Sequence, residues 1–217
     1  MGDINQYIWM EKYKDLVKGP VLEIGSKHYA DDVSINYRQI FDSLEYIGTD
    51  MQAGPNVDKV IDFTQDIDVI RKQLDGKKIN TIICCSVLEH VDNVFKMAEN
   101  ISSILEPGGV LFISVPFHWR FHGYPSDYWR FTPEGVKYMF KNFAFDGDKG
   151  MTSSNLKGDI AQGTDKPNDF LLRNVKKAFP LPVRILKKLG LFKNQFEDYA
   201  YVLLPGMISM VGVKKNS

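Results

Sequence analysis

Three points along the chain, each where an apolar run ends, carry residue types suited to holding an adenosine. The run Val21-Leu22-Glu23-Ile24 stops at Gly25-Ser26. A glycine there lets backbone approach a ligand closely before the chain turns. A second run ends at Asp50, 27 positions after Glu23. A carboxylate so placed can accept hydrogen bonds from both hydroxyls of a ribose. The third ends in Ile61-Asp62-Phe63, with a carboxylate for an exocyclic amine and a ring to pack on adenine. Each residue alone also reads as an ordinary turn or cap. Their order along the chain is what points to a nucleoside.

Such points meet only if strands align them at one edge of a sheet. Apolar runs at 20–24, 44–48, 57–61, 79–85 and 109–115 read as strands, with helical patterns at 65–75 and 92–105. Strands alternating with helices imply a parallel sheet. The runs at 79–85 and 109–115 are nearly all apolar, as strands covered on both faces must be. Before them, Ile4, Tyr7, Ile8, Tyr13, Leu16 and Val17 mark one face of a helix over 3–18, stopped by Gly19-Pro20. After Pro116 an aromatic-rich loop leads to Thr132-Pro133-Glu134, an N-cap and first-turn proline opening a helix to about Lys141. A strand near 143–148 and another near 200–213 enclose an insertion at about 155–195.

Taken in order, VLEIGS, IGTD, VIDF, IICCSVLEHV and LEPGGVLFISVP resemble the successive motifs of class I S-adenosylmethionine (SAM)-dependent methyltransferases. The closest likeness is to the type 11 group, including members associated with glycan and polysaccharide biosynthesis. It spans about residues 19–145. The resemblance implies a Rossmann-like α/β fold: a seven-stranded, mostly parallel sheet, its last strand antiparallel, with helices on both faces. It also implies a cofactor site. Glu23, Gly25 and Ser26 would line the methionine end, and Asp50 with Met51 the ribose. Asp62 and Phe63 would border adenine, with Ser86 beside the methionine moiety and Val87 near the ring. The chain departs from the family in its glycine loop, reading Gly25-Ser26-Lys27-His28-Tyr29 where Gly-x-Gly-x-Gly is usual. SAM carries no pyrophosphate, so a phosphate-cradling loop is not needed, and the same loop argues against a nicotinamide dehydrogenase.

Methyl transfer to a hydroxyl needs alignment and a proton acceptor. A placed base contributes on the order of 10²–10⁴-fold. The loop after the fifth strand holds His118, Trp119, His122, Tyr124, Asp127, Tyr128, Trp129 and Arg130. His122 is the first choice for base, because imidazole titrates near neutrality. Asp127 would orient it, and His118 is the reserve. Trp119, Tyr124, Tyr128, Trp129 and Arg130 would contact the acceptor. In the alternative reading, Asp127, Tyr128 and Arg130 fix the loop, with Arg130 paired internally. Glu89, His90 and Asp92 could chelate a divalent ion, but acids commonly open helices, and no metal is expected.

Aromatic faces beside hydrogen-bonding groups suit a sugar, so the expected product is an O-methylated sugar or glycan, alongside S-adenosylhomocysteine. A small phenolic, quinone or natural-product acceptor is the alternative, and a non-catalytic interaction module the further one. Lys plus Arg equals Asp plus Glu at 27 each, so no basic field marks nucleic acid as a partner. With 44% hydrophobic and 25% charged residues, the 217-residue chain reads as one globular domain, monomeric or homodimeric. Two adjacent cysteines, Cys84 and Cys85, exclude a disulfide scaffold and read as core packing. The opening residues lack a secretion signal and no apolar run is long enough to span a bilayer. A cytoplasmic location is expected. The basic, partly apolar stretch 166–193 could be a lid, an interface or a peripheral membrane contact; its simplest reading is an amphipathic helix on the sheet.

Overall fold

The computed structural model describes residues 4–28, 36–119, 121–123, 125–153, 160–163, 185, 188–190 and 206–216. Five parallel strands are built from the first half: β1 (Val21–Ile24), β2 (Tyr46–Asp50), β3 (Lys59–Val60), β4 (Ile79–Cys85) and β5 (Leu105–Pro116). They lie in the order β3-β2-β1-β4-β5. β6 (Phe143–Phe145), β7 (Met151–Ser153), β8 (Ile160–Gln162) and β9 (Met207–Lys214) add an antiparallel part. β9 lies along β5, with Val110 opposite Val213 and Pro116 opposite Met207. The helices are α1 (Ile4–Lys12), α2 (Ile67–Gln73), α3 (Val94–Ile104) and α4 (Pro133–Met139). This is the Rossmann-like α/β fold with a mixed sheet.

Alternation within the apolar runs explains how both faces are covered. Ile82 and Cys84 of β4 point into a core with Leu111 and Ile113 of β5, Ile70 of α2, Met97 and Ile101 of α3 and Val136 of α4. Ile83 points to the opposite face, where Trp9 and Met10 of α1 pack with Tyr37, Phe41 and Phe112. The rings of Trp9 and Phe112 meet edge to face with centroids 5.3 Å apart. Period-two alternation thus puts the adjacent cysteines on opposite faces, and neither is bridged. At α4, Thr132 Oγ1 accepts from the Gly135 amide at 3.0 Å, the cap its sequence specifies.

Three expectations need correction. The first helix is short, ending at Lys12 before a 3-10 turn at Lys14–Leu16, rather than continuous over 3–18. Its buried face is also not the apolar stripe: Asn5, Gln6, Trp9 and Met10 are buried, while Ile4 and Ile8 are exposed. A buried polar network is the reason. The Gln6 amide donates to Ser86 Oγ at 3.1 Å and Ser114 Oγ at 2.8 Å. Tyr37 donates to Gln6 Oε1 at 3.1 Å, and Ser114 pairs with Ser209 at 2.8 Å. The network lets Gln6 share the buried face with Trp9 and Met10, a mixed face that hydrophobic periodicity alone does not mark. Gln6→Ala should cost about 1–3 kcal/mol, because it strips partners from covered hydroxyls. An unshifted urea midpoint would show the network to be dispensable.

The third correction is strand number. The sheet has nine strands among the described residues, not seven, because β7 and β8 form a hairpin beside β9. Ile160–Gln162 thus lies in a strand within the insertion at about 155–195. Nearly all the remainder of 155–195 falls outside the described residues. Among the described residues, no helix is long and apolar enough to cross a membrane.

Candidate active site

β1 and β4 are neighbours, yet the connections from them run to opposite halves of the sheet. Open α/β sheets take ligands beyond the strand ends at such a switch point. Gly25, directly after β1, has a φ of 82° and is exposed, although all four β1 residues are buried. A Cβ on it would lie 2.3 Å from Val87 Cγ2. The tip of β1 and the turn after β4 therefore meet at a separation only glycine permits. Ser86, also left-handed at φ 56°, anchors that turn: its amide donates to Ser114 O at 2.8 Å. Gly25, Ser86 and Val87 are thus brought together.

Glu23 is buried beneath this edge. Its Oε2 accepts from the Tyr46 hydroxyl at 2.7 Å and lies 3.5 Å from Asn56 Nδ2. Burial pushes its carboxyl up to about 7, against the lowering effects of Tyr46 and of Arg38. Ser26 is buried as well, donating to Asn56 O at 2.9 Å while its own carbonyl accepts from Asn56 Nδ2 at 3.1 Å. The β2–β3 connection, through Asn56, therefore fixes the loop that follows Gly25.

The two aspartates stand at the tips of neighbouring strands. Asp50 Oδ1 accepts from the Gln52 amide at 2.9 Å. Asp62 Oδ1 accepts from the Thr64 amide at 2.8 Å and its hydroxyl at 2.7 Å. Met51 beside them is 59% exposed. Phe63 is the exception: its ring is 3% exposed and belongs to the core, not to an open surface for adenine. Asn100 of α3 holds that turn from inside, donating to the carbonyls of Phe63 and Gln65, both at 2.8 Å.

The loop after β5 folds back over the turn ending β4. Tyr128 donates its amide to Glu89 O at 2.7 Å, and the Trp129 indole donates to Val91 O at 2.8 Å. Asp127 is nearly inaccessible and takes both Arg130 Nη atoms, with Nη2 at 2.8 Å from Oδ2. That pairing holds its carboxyl well below the usual range. Arg130 also donates to Trp119 O at 3.1 Å. It is therefore committed to the loop rather than offered to an acceptor, which is the internal pairing the sequence left open. His118 is tied through its amide to Gly206 O at 3.2 Å, and Trp119 packs on Gly206. Tyr124 lies outside the described residues.

Two imidazoles and a buried carboxyl converge here. The His90 and His122 rings meet at 5.0 Å, edge to face. His122 Nδ1 is 3.4 Å from Asp127 Oδ2, which also accepts the His122 amide at 2.9 Å. His90 Nε2 is 3.9 Å from Glu89 Oε1. One nitrogen from each histidine and a Glu89 oxygen all lie within 4.8 Å of one another. Burial raises the Glu89 carboxyl to about 7 and lowers His90. Asp92, read from sequence as the third acid of this group, stands apart from it; its carboxylate accepts from the Asn93 amide at 2.6 Å. His122 takes that place.

Residues 5–143 match a family model described as a methyltransferase domain. The chain belongs to that family. It is a SAM-dependent methyltransferase, with SAM as its cofactor. Over 76 residues this methyltransferase is 33% identical to a ubiquinone biosynthesis O-methyltransferase of Coxiella burnetii, an alignment covering 35% of this chain and 29% of the relative. The match thus spans under a third of that relative's length. A SAM-dependent methyltransferase from Archaeoglobus fulgidus shares the fold, with a TM-score of 0.54 at 16% identity over 98% of this chain and 94% of that one. So does a Burkholderia thailandensis 1,6-didemethyltoxoflavin-N1-methyltransferase holding S-adenosylhomocysteine, at 0.54 and 10% identity over 98% and 77%. The strand tips of this methyltransferase fit the cofactor on their own terms. Gly25 follows β1 exposed and without a side chain, and Asp50 ends the neighbouring strand, where Ile24 lies opposite Thr49.

Proposed function

We propose that this methyltransferase acts on a hydroxyl oxygen, with His122 receiving the hydroxyl's proton. The observation that carries the reading is the convergence of the half-exposed His122 imidazole with His90 and Glu89, at the turn that also packs on Gly25. SAM, when bound, supplies a methyl group activated by its sulfonium. The chain's own groups do the remainder. Glu23 and Gly25 hold the methionine end and Asp50 the ribose. Asp127, locked by Arg130, fixes the backbone from which His122 projects. Positioning of this kind is worth up to about 7–11 kcal/mol.

A sugar hydroxyl is the favoured acceptor. Phe121, Tyr128 and Trp129 leave aromatic surface exposed on the same loop, and a sugar ring offers a C–H face to stack on and hydroxyls to bond. A phenolic acceptor is the second reading, favoured by the similarity to a ubiquinone-pathway enzyme. A SAM-consumption screen over nucleotide sugars, short glycans and catechols tests both. Turnover with sugars alone supports the first, and with catechols alone the second. Asp50→Ala should weaken SAM binding more than tenfold by calorimetry; unchanged affinity would remove the ribose role.

A further inference from the structure

Glu89 is a buried titratable group at this edge to which proton transfer assigns nothing. It is 1% exposed, and its Oε2 has no hydrogen-bond partner among the described residues. An orphaned buried carboxylate oxygen is costly and calls for a ligand. The neighbouring histidines are arranged as ligands commonly are. His90 Nδ1 lies 2.6 Å from Ser126 O. A carbonyl only accepts, so Nδ1 carries the proton and Nε2 presents a lone pair toward Glu89. This is the backbone-anchored tautomer typical of metal-bound imidazoles. His122 is likewise braced, with Asp127 beside its Nδ1.

We infer that Glu89, His90 and His122 form a binding site for one divalent transition-metal ion, of which Mn²⁺ and Zn²⁺ are the representatives. Two imidazoles with one carboxylate are an intermediate donor set that favours these ions over Mg²⁺, which prefers oxygen ligands. The local charge agrees. Asp127 and Arg130 neutralise each other, leaving the Glu89 carboxylate as the charge an incoming cation meets. Ligand atoms around one ion stand roughly 3–3.5 Å apart, given bonds near 2.1 Å. The three groups, now within 4.8 Å, need to close by about an ångström, and His122 on its loop makes that movement. Three protein ligands leave open positions, as catalytic sites do, so an acceptor hydroxyl can join the ion, which lowers its pKa so that its proton passes to solvent water. His122 then acts as ligand, and its role as proton acceptor belongs to the metal-free protein.

The test is binding, measured apart from turnover. Chelator-stripped protein is titrated with Mn²⁺, followed by electron paramagnetic resonance, and with Zn²⁺ by calorimetry, each metal alone. The expected result is one ion per chain, with Glu89→Gln and His122→Ala each weakening it at least tenfold. SAM affinity, unchanged in both variants, certifies that they fold. Should either fail to fold, His122→Asn and Glu89→Asp replace them, and each should again weaken binding at least tenfold. Wild-type binding no tighter than in the variants, or none at all, overturns the site. The two readings fail separately. Hydroxyl methylation with no metal bound sinks only the ion, and metal bound without hydroxyl methylation sinks only the acceptor.

Discussion

His122→Ala is expected to lower turnover by about 10²–10⁴-fold while leaving SAM affinity within twofold of the parent. The size follows from what a placed proton acceptor contributes. The selectivity follows from geometry, because the loop carrying His122 comes after β5, while Glu23, Gly25 and Asp50, the groups proposed to hold the cofactor, sit on β1 and β2 and at their tips. The loop itself should survive. Its frame is the Asp127–Arg130 pair, the Tyr128 amide on Glu89 O and the Trp129 indole on Val91 O, none of which uses the His122 side chain. A purely structural imidazole would instead show its loss in the melting temperature. Single-turnover rates separate chemistry from product release, and added imidazole should restore part of the rate. An alanine variant that turns over at the parent rate removes His122 from the chemistry, and with it the reason for assigning a hydroxyl acceptor.

Most of the sheet was readable because its signals are local. β4 and β5 announce themselves as unbroken apolar runs, which two-faced burial demands, and Thr132 with Pro133 marks the start of α4. Gly25, Asp50 and Asp62 could be put at strand ends because each stands where an apolar run stops. What the sequence hid was long-range. Gln6 lies 80 positions from Ser86 and 108 from Ser114, and nothing in a helical pattern shows that a polar side chain will share the buried face with Trp9 and Met10. Glu89 and His90 were visible in LEHV, yet their partner is 32 residues on, across a loop whose path no periodicity encodes. The glutamate inside the apolar turn was an available signal, since burial there obliges it to find a partner.

Phe63 and Arg130 failed for a different reason. Residue type suggested surface roles, but the ring sits in the core beneath Ile61, and the guanidinium finds a bidentate carboxylate three residues away. A charge with a good local partner takes it, since the alternative leaves Asp127 covered and unpaired. The aromatic loop is therefore mostly self-built; His122 joins the cluster with His90 and Glu89, while Phe121, Tyr128 and Trp129 keep exposed surface.

Glu23→Gln should make the cofactor-free protein more stable at pH 8 and weaken its hold on SAM by more than tenfold. Burial raises the Glu23 carboxyl to about 7, from an ordinary 4.5. Folding thus favours the protonated form. The stability this group contributes is fully present below pH 4.5 and is lost as pH rises through 7. The gap corresponds to roughly 3 kcal/mol of penalty above that range. Glutamine keeps the shape and can still accept the Tyr46 hydroxyl, so the variant escapes the penalty. Its difference in stability from the parent should grow between pH 4.5 and 7 and level off above. In the role proposed for Glu23, the carboxylate that carries this cost partners the cofactor's ammonium. Binding SAM at pH 6.5 should therefore expel a proton, seen as a dependence of the calorimetric enthalpy on the buffer's ionisation heat, and the variant should lose most of that dependence. A parent that binds SAM with no proton release, or a glutamine variant that gains nothing at pH 8, would mean that Glu23 is a structural partner of Tyr46 and no part of the cofactor's grip.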